Sequence, residues 1–417
     1  LLISFKINNI FDPQEEMLKY LASPVLQIIL SSALFYHPPS IMAPTPDFLG
    51  PVQLIRRLRK NAPVRKGLAL QYLIRISFSL PAYWVERIFR ARKIHNTSLE
   101  KPPIFILGHY RSGTTLLHKL LSSHPDWAYI DGKNLLLPYN SKGFHKFSSA
   151  VLGRLIALFR IKNPYFHNYR FLLQDPIEED NFLIFASSPY TSFWGFIFPK
   201  QFEDYLHRYI FFHDKKEKAA WQANYLYLLK KISRTNKGRQ LVLKNPPNTG
   251  RVKVLLELFP DAKFIFIYRN PYAVFSSMEY LLKEVIQKRY SLHKLSPSER
   301  EQLIFRHYKV LMDRYEAEKE LIPPENLYEL RYEQMLAHPE DEIKKLLASL
   351  KLEGNEKIEE EIRIRLSKEK SYSPKKYYFS AEQEQRISHE WGSYIRKWQY
   401  SPPPINNHHG KNEKPTR

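Results

Sequence analysis

Apolar residues in this chain fall into two kinds of run, and each kind predicts a different element. Ile104-Phe105-Ile106-Leu107, Leu241-Val242-Leu243 and Phe264-Ile265-Phe266-Ile267-Tyr268 are short, unbroken apolar stretches, as expected of buried strands. After the first, Leu116, Leu117, Leu120 and Leu121 recur at helical spacing until Pro125, so a strand passes through a loop into a helix. Between the second and third runs, Val252, Leu255, Leu256 and Phe259 stand at i, i+3, i+4 and i+7. That stripe predicts a helix lying on a sheet face and completes a strand-helix-strand unit. Ile343, Leu346, Leu347 and Leu350 mark a further core-facing helix, and the polar stretch from Glu284 to Gln302 reads as a helical insertion able to cover a pocket.

The loop after the first strand carries the most informative chemistry. In Gly108-His109-Tyr110-Arg111-Ser112-Gly113-Thr114-Thr115, two glycines permit a tight turn, and the N–H groups that open the helix have no intrahelical partner, so they can hold an oxyanion. In the G-x-x-x-x-G-K-[ST] pattern a lysine reaches the β/γ-phosphates. Here Thr114 takes that place and the basic residue, Arg111, lies inside the loop, which disfavours a magnesium-dependent triphosphatase. A second anion site is suggested where Arg269-Asn270-Pro271 follows the third strand, with Ser277 eight residues beyond Arg269. A guanidinium at a strand end and a hydroxyl two turns into the next helix can converge on one anion. Taken singly, the first loop is also compatible with a turn that binds nothing, and the second with a surface turn.

Taken together, these segments resemble the PAPS-dependent sulfotransferases, most closely the bacterial type and more distantly the tyrosylprotein sulfotransferases, over about Pro102 to Tyr400. The resemblance rests on Pro103 through Thr115, on Tyr268-Arg269-Asn270-Pro271 through Ser277, and on three further segments in the expected order: Asp175-Pro176-Ile177-Glu178-Glu179-Asp180, Leu243-Lys244-Asn245-Pro246-Pro247 and Leu330-Arg331-Tyr332-Glu333-Gln334. It implies an α/β, P-loop-like sulfotransferase fold, with a central, mainly parallel sheet flanked by helices. It also implies transfer of a sulfuryl group from 3′-phosphoadenosine 5′-phosphosulfate (PAPS) to an acceptor. The 5′-phosphosulfate would sit on Gly108, His109, Tyr110, Arg111, Ser112, Gly113, Thr114 and Thr115, and the 3′-phosphate on Arg269 and Ser277. Two separated anion sites suit such a donor, and if both loops leave the C-terminal ends of parallel strands, one nucleotide can span them.

In-line attack by an acceptor hydroxyl needs cations at the leaving group and a base at the acceptor. Arg111 is the first expected cation, since the resembling family places Lys or Arg there. Lys244 is the second: it follows a strand, and a lysine in a similar Lys-x-Pro setting contacts the transferred group in the resembling tyrosylprotein enzymes. Glu179 is the expected base, falling where bacterial relatives carry a Pro-x-Glu-Asp segment. Asp131 competes, near where the tyrosylprotein enzymes place their glutamate. His109 and His118 read as packing or hydrogen-bonding residues, and the acidic cluster at residues 178–180 also suits a helix N-terminus.

Composition narrows the setting. The chain has 417 residues and no cysteine, so disulfides and thiolate metal sites are excluded; its 15 histidines show no H-E-x-x-H spacing, and no metal is expected. The net charge is +22. Residues 51–93 hold eleven Lys/Arg against Glu86 alone, a net of +10, interleaved with apolar residues. This reads as a basic amphipathic helical extension suited to an anionic membrane surface or to solvent; with no nucleic-acid-binding motif beside it, no nucleic acid is expected. The expected division is an uncertain segment at 1–45, the basic extension at 46–100, a sulfotransferase domain at 101–400 and a disordered tail at 401–417. The apolar run from Val25 to Tyr36 is too short to span a bilayer, and a signal-peptide reading needs a start at Met17. A cytosolic donor favours a cytoplasmic enzyme, peripheral at the inner face of the membrane. Lys375 and Lys376 read as solvated. Phe182, Phe185, Tyr190, Phe193, Trp194, Phe196, Phe198 and Phe202 suit a core or the lining of a pocket for a lipid or aromatic acceptor. A divergent P-loop kinase and a non-catalytic membrane or nucleic-acid binder are the competing functions.

Overall fold

The computed structural model describes residues 47–136, 139, 174–352, 358–360, 363–364 and 379–402. The expectations for the run at 25–36, for Lys375 and Lys376, and for the tail beyond residue 402 lie outside the described residues. Five strands, β1 (Ile104–Leu107), β2 (Trp127–Ala128), β3 (Gln240–Lys244), β4 (Lys263–Tyr268) and β5 (Leu327–Arg331), form one sheet in the order β2-β3-β1-β4-β5. All four pairings are parallel. The main helices are α1 (Pro51–Lys60), α2 (Lys66–Phe89), α3 (Thr114–Leu121), α4 (Glu179–Phe185), α5 (Lys215–Thr235), α6 (Val252–Leu258), α7 (Pro271–Tyr280), α8 (Pro297–Glu318), α9 (Pro339–Ser349) and α10 (Ala381–Lys397).

The strands' unbroken apolarity follows from their two covered faces. Phe105, Leu107, Leu241, Leu243, Phe264 and Phe266 enter one core with Tyr225 and Leu228 of α5, Val252 and Leu255 of α6, and Ile304 and Leu311 of α8. The alternate residues Ile104, Ile106, Val242, Ile265, Ile267 and Leu330 enter a second core with Leu117, Leu120 and Leu121 of α3 and Ile343, Leu346 and Leu347 of α9. The aromatic run after the acidic cluster is core: Phe182, Phe193, Trp194, Phe196, Phe198 and Phe202 are all buried.

The basic segment joins this body directly. Leu54 of α1 and Ala69, Tyr72 and Ile76 of α2 belong to the first core, and Arg75 donates to the Ile184 carbonyl at 2.5 Å while its guanidinium covers the Phe185 ring at 4.3 Å. The stretch expected as one helical insertion is instead broken. A π-helical turn, Leu281–Ile286, and a short helix, Gln287–Arg289, run on from α7; the chain then leaves the helix, and α8 begins anew where Ser296 and Glu299 form a capping box with Pro297 at the first helical position. Those three residues fit a helix start better than a helix interior.

Candidate active site

Because every strand is parallel, the loops that follow β1, β3, β4 and β5 emerge at one edge of the sheet, where ligands of open α/β folds bind. The β1 loop is shaped by its glycines. Gly108 has φ 137°, and an added Cβ would collide with the Ile267 carbonyl of β4; Gly113 has φ 95°, and its Cβ would enter the Tyr332 ring. Arg111, between them, also takes a left-handed φ of 71°, a conformation that costs a branched or long side chain about 1 kcal/mol or more. Hydrogen bonds hold it there: Arg111 Nε donates to Ser277 Oγ at 2.7 Å, and the Arg111 carbonyl accepts from Arg269 Nη1 at 3.0 Å. Arg269 in turn stacks over the Tyr332 ring at 4.5 Å. The two expected anion-binding segments therefore touch, with Arg111, Arg269 and Ser277 in one cluster. Gly113 is the N-cap of α3, and no side chain caps that helix, so its first N–H groups suit an oxyanion.

On the β3 side, Lys244 meets the same loop. Its Nζ donates to Thr115 Oγ1 at 3.2 Å and to Glu178 Oε1 at 2.5 Å, with the lysine side chain only 3% exposed. Glu178 is the N-cap of α4. Glu179, the next residue, turns the other way and is fully buried. Its carboxylate accepts from the Lys244 backbone N–H at 2.9 Å, from Asn248 Nδ2 at 2.9 Å and from Tyr225 OH at 3.2 Å. Burial, and then the charge of Asp180, push its pKa up to about 8, although those donors pull against the rise. Asp180 is buried too, and burial alone would raise it. The Arg251 guanidinium, with Ser192 and Asn245, instead holds it below the ordinary carboxylate value; Arg251 Nη1 is 3.1 Å and Asn245 Nδ2 2.8 Å from its Oδ1.

The remaining expected residues are held by other partners. Asp131 accepts from the Asn134 N–H at 3.0 Å and lies in a polar cleft of about 320 Å³ with Lys133, His124 and Arg239; neither Lys244 nor Arg111 lines that cleft. His109 is buried beneath the loop, its Nε2 2.8 Å from His307 Nδ1, and burial pushes it down to about 3. His118 faces the Val242 carbonyl at 3.2 Å and is lowered to about 3 by burial and then by the charge of Lys244. Both rings are thus neutral packing groups at ordinary pH. Tyr110, Ser112 and Thr114 are buried; among them, the Ser112 N–H closes the loop on the His109 carbonyl at 3.2 Å.

Three residues of the site carry no assignment from sequence alone. Thr249 accepts from the Gly108 N–H at 2.8 Å, Tyr332 packs on Gly113, and Glu178 pairs with Lys244. A signal for the last was present: Glu179, Phe182, Leu183 and Ala186 stand at i, i+3, i+4 and i+7, which turns Glu179 inward with the apolar residues and leaves Glu178 outside that stripe. Among the described residues, no group of three or more His, Asp or Glu is placed to hold a metal ion.

Comparison with known proteins identifies the family. Residues 102–356 match the model of the sulfotransferase family. The chain is 30% identical over 323 residues to the omega-hydroxy-beta-dihydromenaquinone-9 sulfotransferase Stf3 of Mycobacterium bovis, covering 76% of this chain and 80% of that protein. In fold it is similar to the sulfotransferase STF9 of Mycobacterium avium, with a TM-score of 0.65 at 17% identity over 84% of this chain and 91% of that one. It is also similar to STF1 of Mycobacterium tuberculosis, with a TM-score of 0.61 at 17% identity over 82% and 90%. The chain belongs to the sulfotransferase family, and it is an enzyme that transfers a sulfuryl group from PAPS.

Proposed function

We propose that the acceptor is the hydroxyl of a membrane lipid of the menaquinone-derived kind, reached from the cytoplasmic side. The observation that carries this reading is the 30% identity, over four-fifths of its length, to a relative named for an omega-hydroxy-dihydromenaquinone. In the transfer, the acceptor oxygen bonds to sulfur and the bond from sulfur to the bridging oxygen breaks; the electron pair stays with the departing nucleotide, and the acceptor proton passes to a carboxylate.

The chain's own residues divide this work. Arg269 and Ser277 hold the 3′-phosphate, and Arg111 links that site to the 5′ loop through its bond to Ser277. The bare N-terminus of α3 and Thr115 receive the 5′ group. Lys244, held against Thr115, presents its ammonium to the charge that develops on the leaving oxygen, where a fixed cation in a water-poor site is most effective. The proton acceptor is Glu178 rather than Glu179 or Asp131. Its carboxylate shares Lys244 Nζ, whereas Glu179 is closed in by three donors and Asp131 accepts from the backbone N–H of Asn134.

The test is a sulfation assay with PAPS and detergent-dispersed acceptors: an omega-hydroxylated isoprenoid quinol, a sterol, a simple phenol and a tyrosine peptide. Preference for the quinol by about tenfold or more in kcat/KM supports the reading. Preference for the peptide or phenol overturns it.

A further inference from the structure

From the structure we infer that the outward face of α2 is a docking surface for an anionic membrane. On an ordinary surface helix the charged residues face water. Here the outward face is apolar as well as the inner one. Leu70, Ile74, Phe78, Val85, Ile88 and Phe89 are all exposed, Phe78 by 82% and Phe89 by 69%, and apart from the adjacent Ile88 and Phe89 they recur at intervals of three, four and seven along one side of the helix. Pro81 and Ala82, between them, are exposed as well. From Leu70 to Phe89 this apolar strip is about 30 Å long. Single exposed apolar side chains are unremarkable, but a continuous strip is the mark of an interaction site.

The charges around the strip select the occupant. Between Leu70 and Phe89 the two cations of α2 are engaged with other side chains and backbone: Arg75 on the Ile184 carbonyl and the Phe185 ring, and Arg87 on the Tyr83 hydroxyl. The sole carboxylate of the helix, Glu86, is buried and bound by Lys231 and Tyr227. Exposed cations flank the strip along the chain: Arg56, Arg59, Lys60 and Lys66 before it, Arg92 and Lys93 after it. An apolar strip flanked by cations and free of exposed carboxylates is complementary to acyl chains beneath anionic headgroups. None of the described helices is long and apolar enough to cross a membrane, so α2 would lie in the interface. It would do so one helix away from the reacting groups, since its inner face is bonded to α4, the helix that Glu178 caps.

The biological use of this face rests on the lipid-acceptor reading, but its evidence does not, and the experiment separates the two. The full chain is floated with vesicles of phosphatidylglycerol in phosphatidylcholine and with phosphatidylcholine alone, and binding of 3′,5′-bisphosphoadenosine is titrated as a check of the folded site. The expected result is flotation with the anionic vesicles that weakens with salt and falls about tenfold or more in the variant Ile74→Ser/Phe78→Ser/Phe89→Ser, with nucleotide binding unchanged. The variant Lys60→Glu/Arg92→Glu/Lys93→Glu should lose the preference for anionic vesicles. No flotation of the unaltered chain overturns the inference, as does a solution dimer that the serine variant dissolves, because a second copy would then cover the strip. Sulfation of a detergent-dispersed quinol without flotation overturns the docking face and spares the acceptor. Flotation without such sulfation supports the docking face and sinks the acceptor.

Discussion

Glu178 and Glu179 are neighbours in sequence, and a single helix start sends them to opposite environments. As N-cap, Glu178 stays outside the helical stripe and meets Lys244 Nζ; as the first helical residue, Glu179 faces the core and accepts three hydrogen bonds there. Losing a general base lowers turnover by about 10²–10⁴-fold. Glu178→Gln should therefore reduce kcat by that order while leaving affinity for 3′,5′-bisphosphoadenosine within a few-fold of the parent, measured by steady-state kinetics beside calorimetric titration. Glu179→Gln should keep the larger share of turnover; the reverse ranking would return the base to Glu179. Gly113 has a role of the opposite kind, since only its missing side chain lets Tyr332 close over the loop at a φ of 95°. Gly113→Ala is expected to abolish nucleotide binding while the circular dichroism of the helices survives, and binding retained within a few-fold would show that the loop tolerates displacement of Tyr332.

At the level of elements, α4 is held to the sheet by a polar anchor as well as by Phe182 and Leu183. Asp180 receives Arg251, Asn245 and both the N–H and hydroxyl of Ser192, so it binds the helix to the segment that follows Lys244 at the end of β3. Removing one partner of such a buried pair leaves the other charge uncompensated, at a cost of about 3–5 kcal/mol. Asp180→Ala should lower stability by that amount in denaturant unfolding, well beyond the effect of Glu178→Gln; a loss under about 1 kcal/mol would mean that Arg251 finds another partner. Legibility from sequence follows the same physics of burial. β1, β3 and β4 could be read because burial on both faces makes them unbroken apolar runs. β5 could not, since Leu327-Tyr328-Glu329-Leu330-Arg331 is an edge strand whose residues are mostly part-exposed, and β2, with two residues, is too short to leave a pattern. Arg111, Lys244, Arg269 and Ser277 could be singled out from sequence because each stands in a short loop motif beside an apolar strand, and the structure places Arg111, Arg269 and Ser277 in contact. Glu178 and Lys244 are 66 residues apart and Tyr332 and Gly113 far more; the α4 stripe leaves Glu178 outside the core, but no local pattern names the partner of either residue. The sequence of the basic segment predicts an amphipathic helix, but which of its faces lies outward depends on the contact with α4, which no local pattern encodes.

Over the whole molecule, buried ionisable groups set opposing demands on pH. His109 and His118 are lowered to about 3 and His307 well below its ordinary value of 6.5, each chiefly by burial. Below pH 6.5 the unfolded chain takes up protons that these folded histidines refuse, so stability present above 6.5 drains away as the pH falls. Linkage sets this at about 1.4 kcal/mol per pH unit for each ring. Glu179 acts in the other direction. With its pKa raised from 4.5 to about 8, the folded chain keeps a proton that the unfolded chain releases, so stability is lost as the pH rises from 4.5 to about 8. Between 4.5 and 6.5 three histidines oppose one carboxylate and stability climbs with pH; above 6.5 the histidines are silent and Glu179 turns the curve down. The net charge of +22 steepens the acid limb, because further protonation adds to self-repulsion. Thermal unfolding midpoints measured at constant ionic strength should therefore peak near pH 6.5 and decline on both sides. Glu179→Gln should flatten the alkaline limb alone. A midpoint that rises steadily through pH 8 would mean that Glu179 is ionised in the folded protein, held so by its three donors, and available as a base after all.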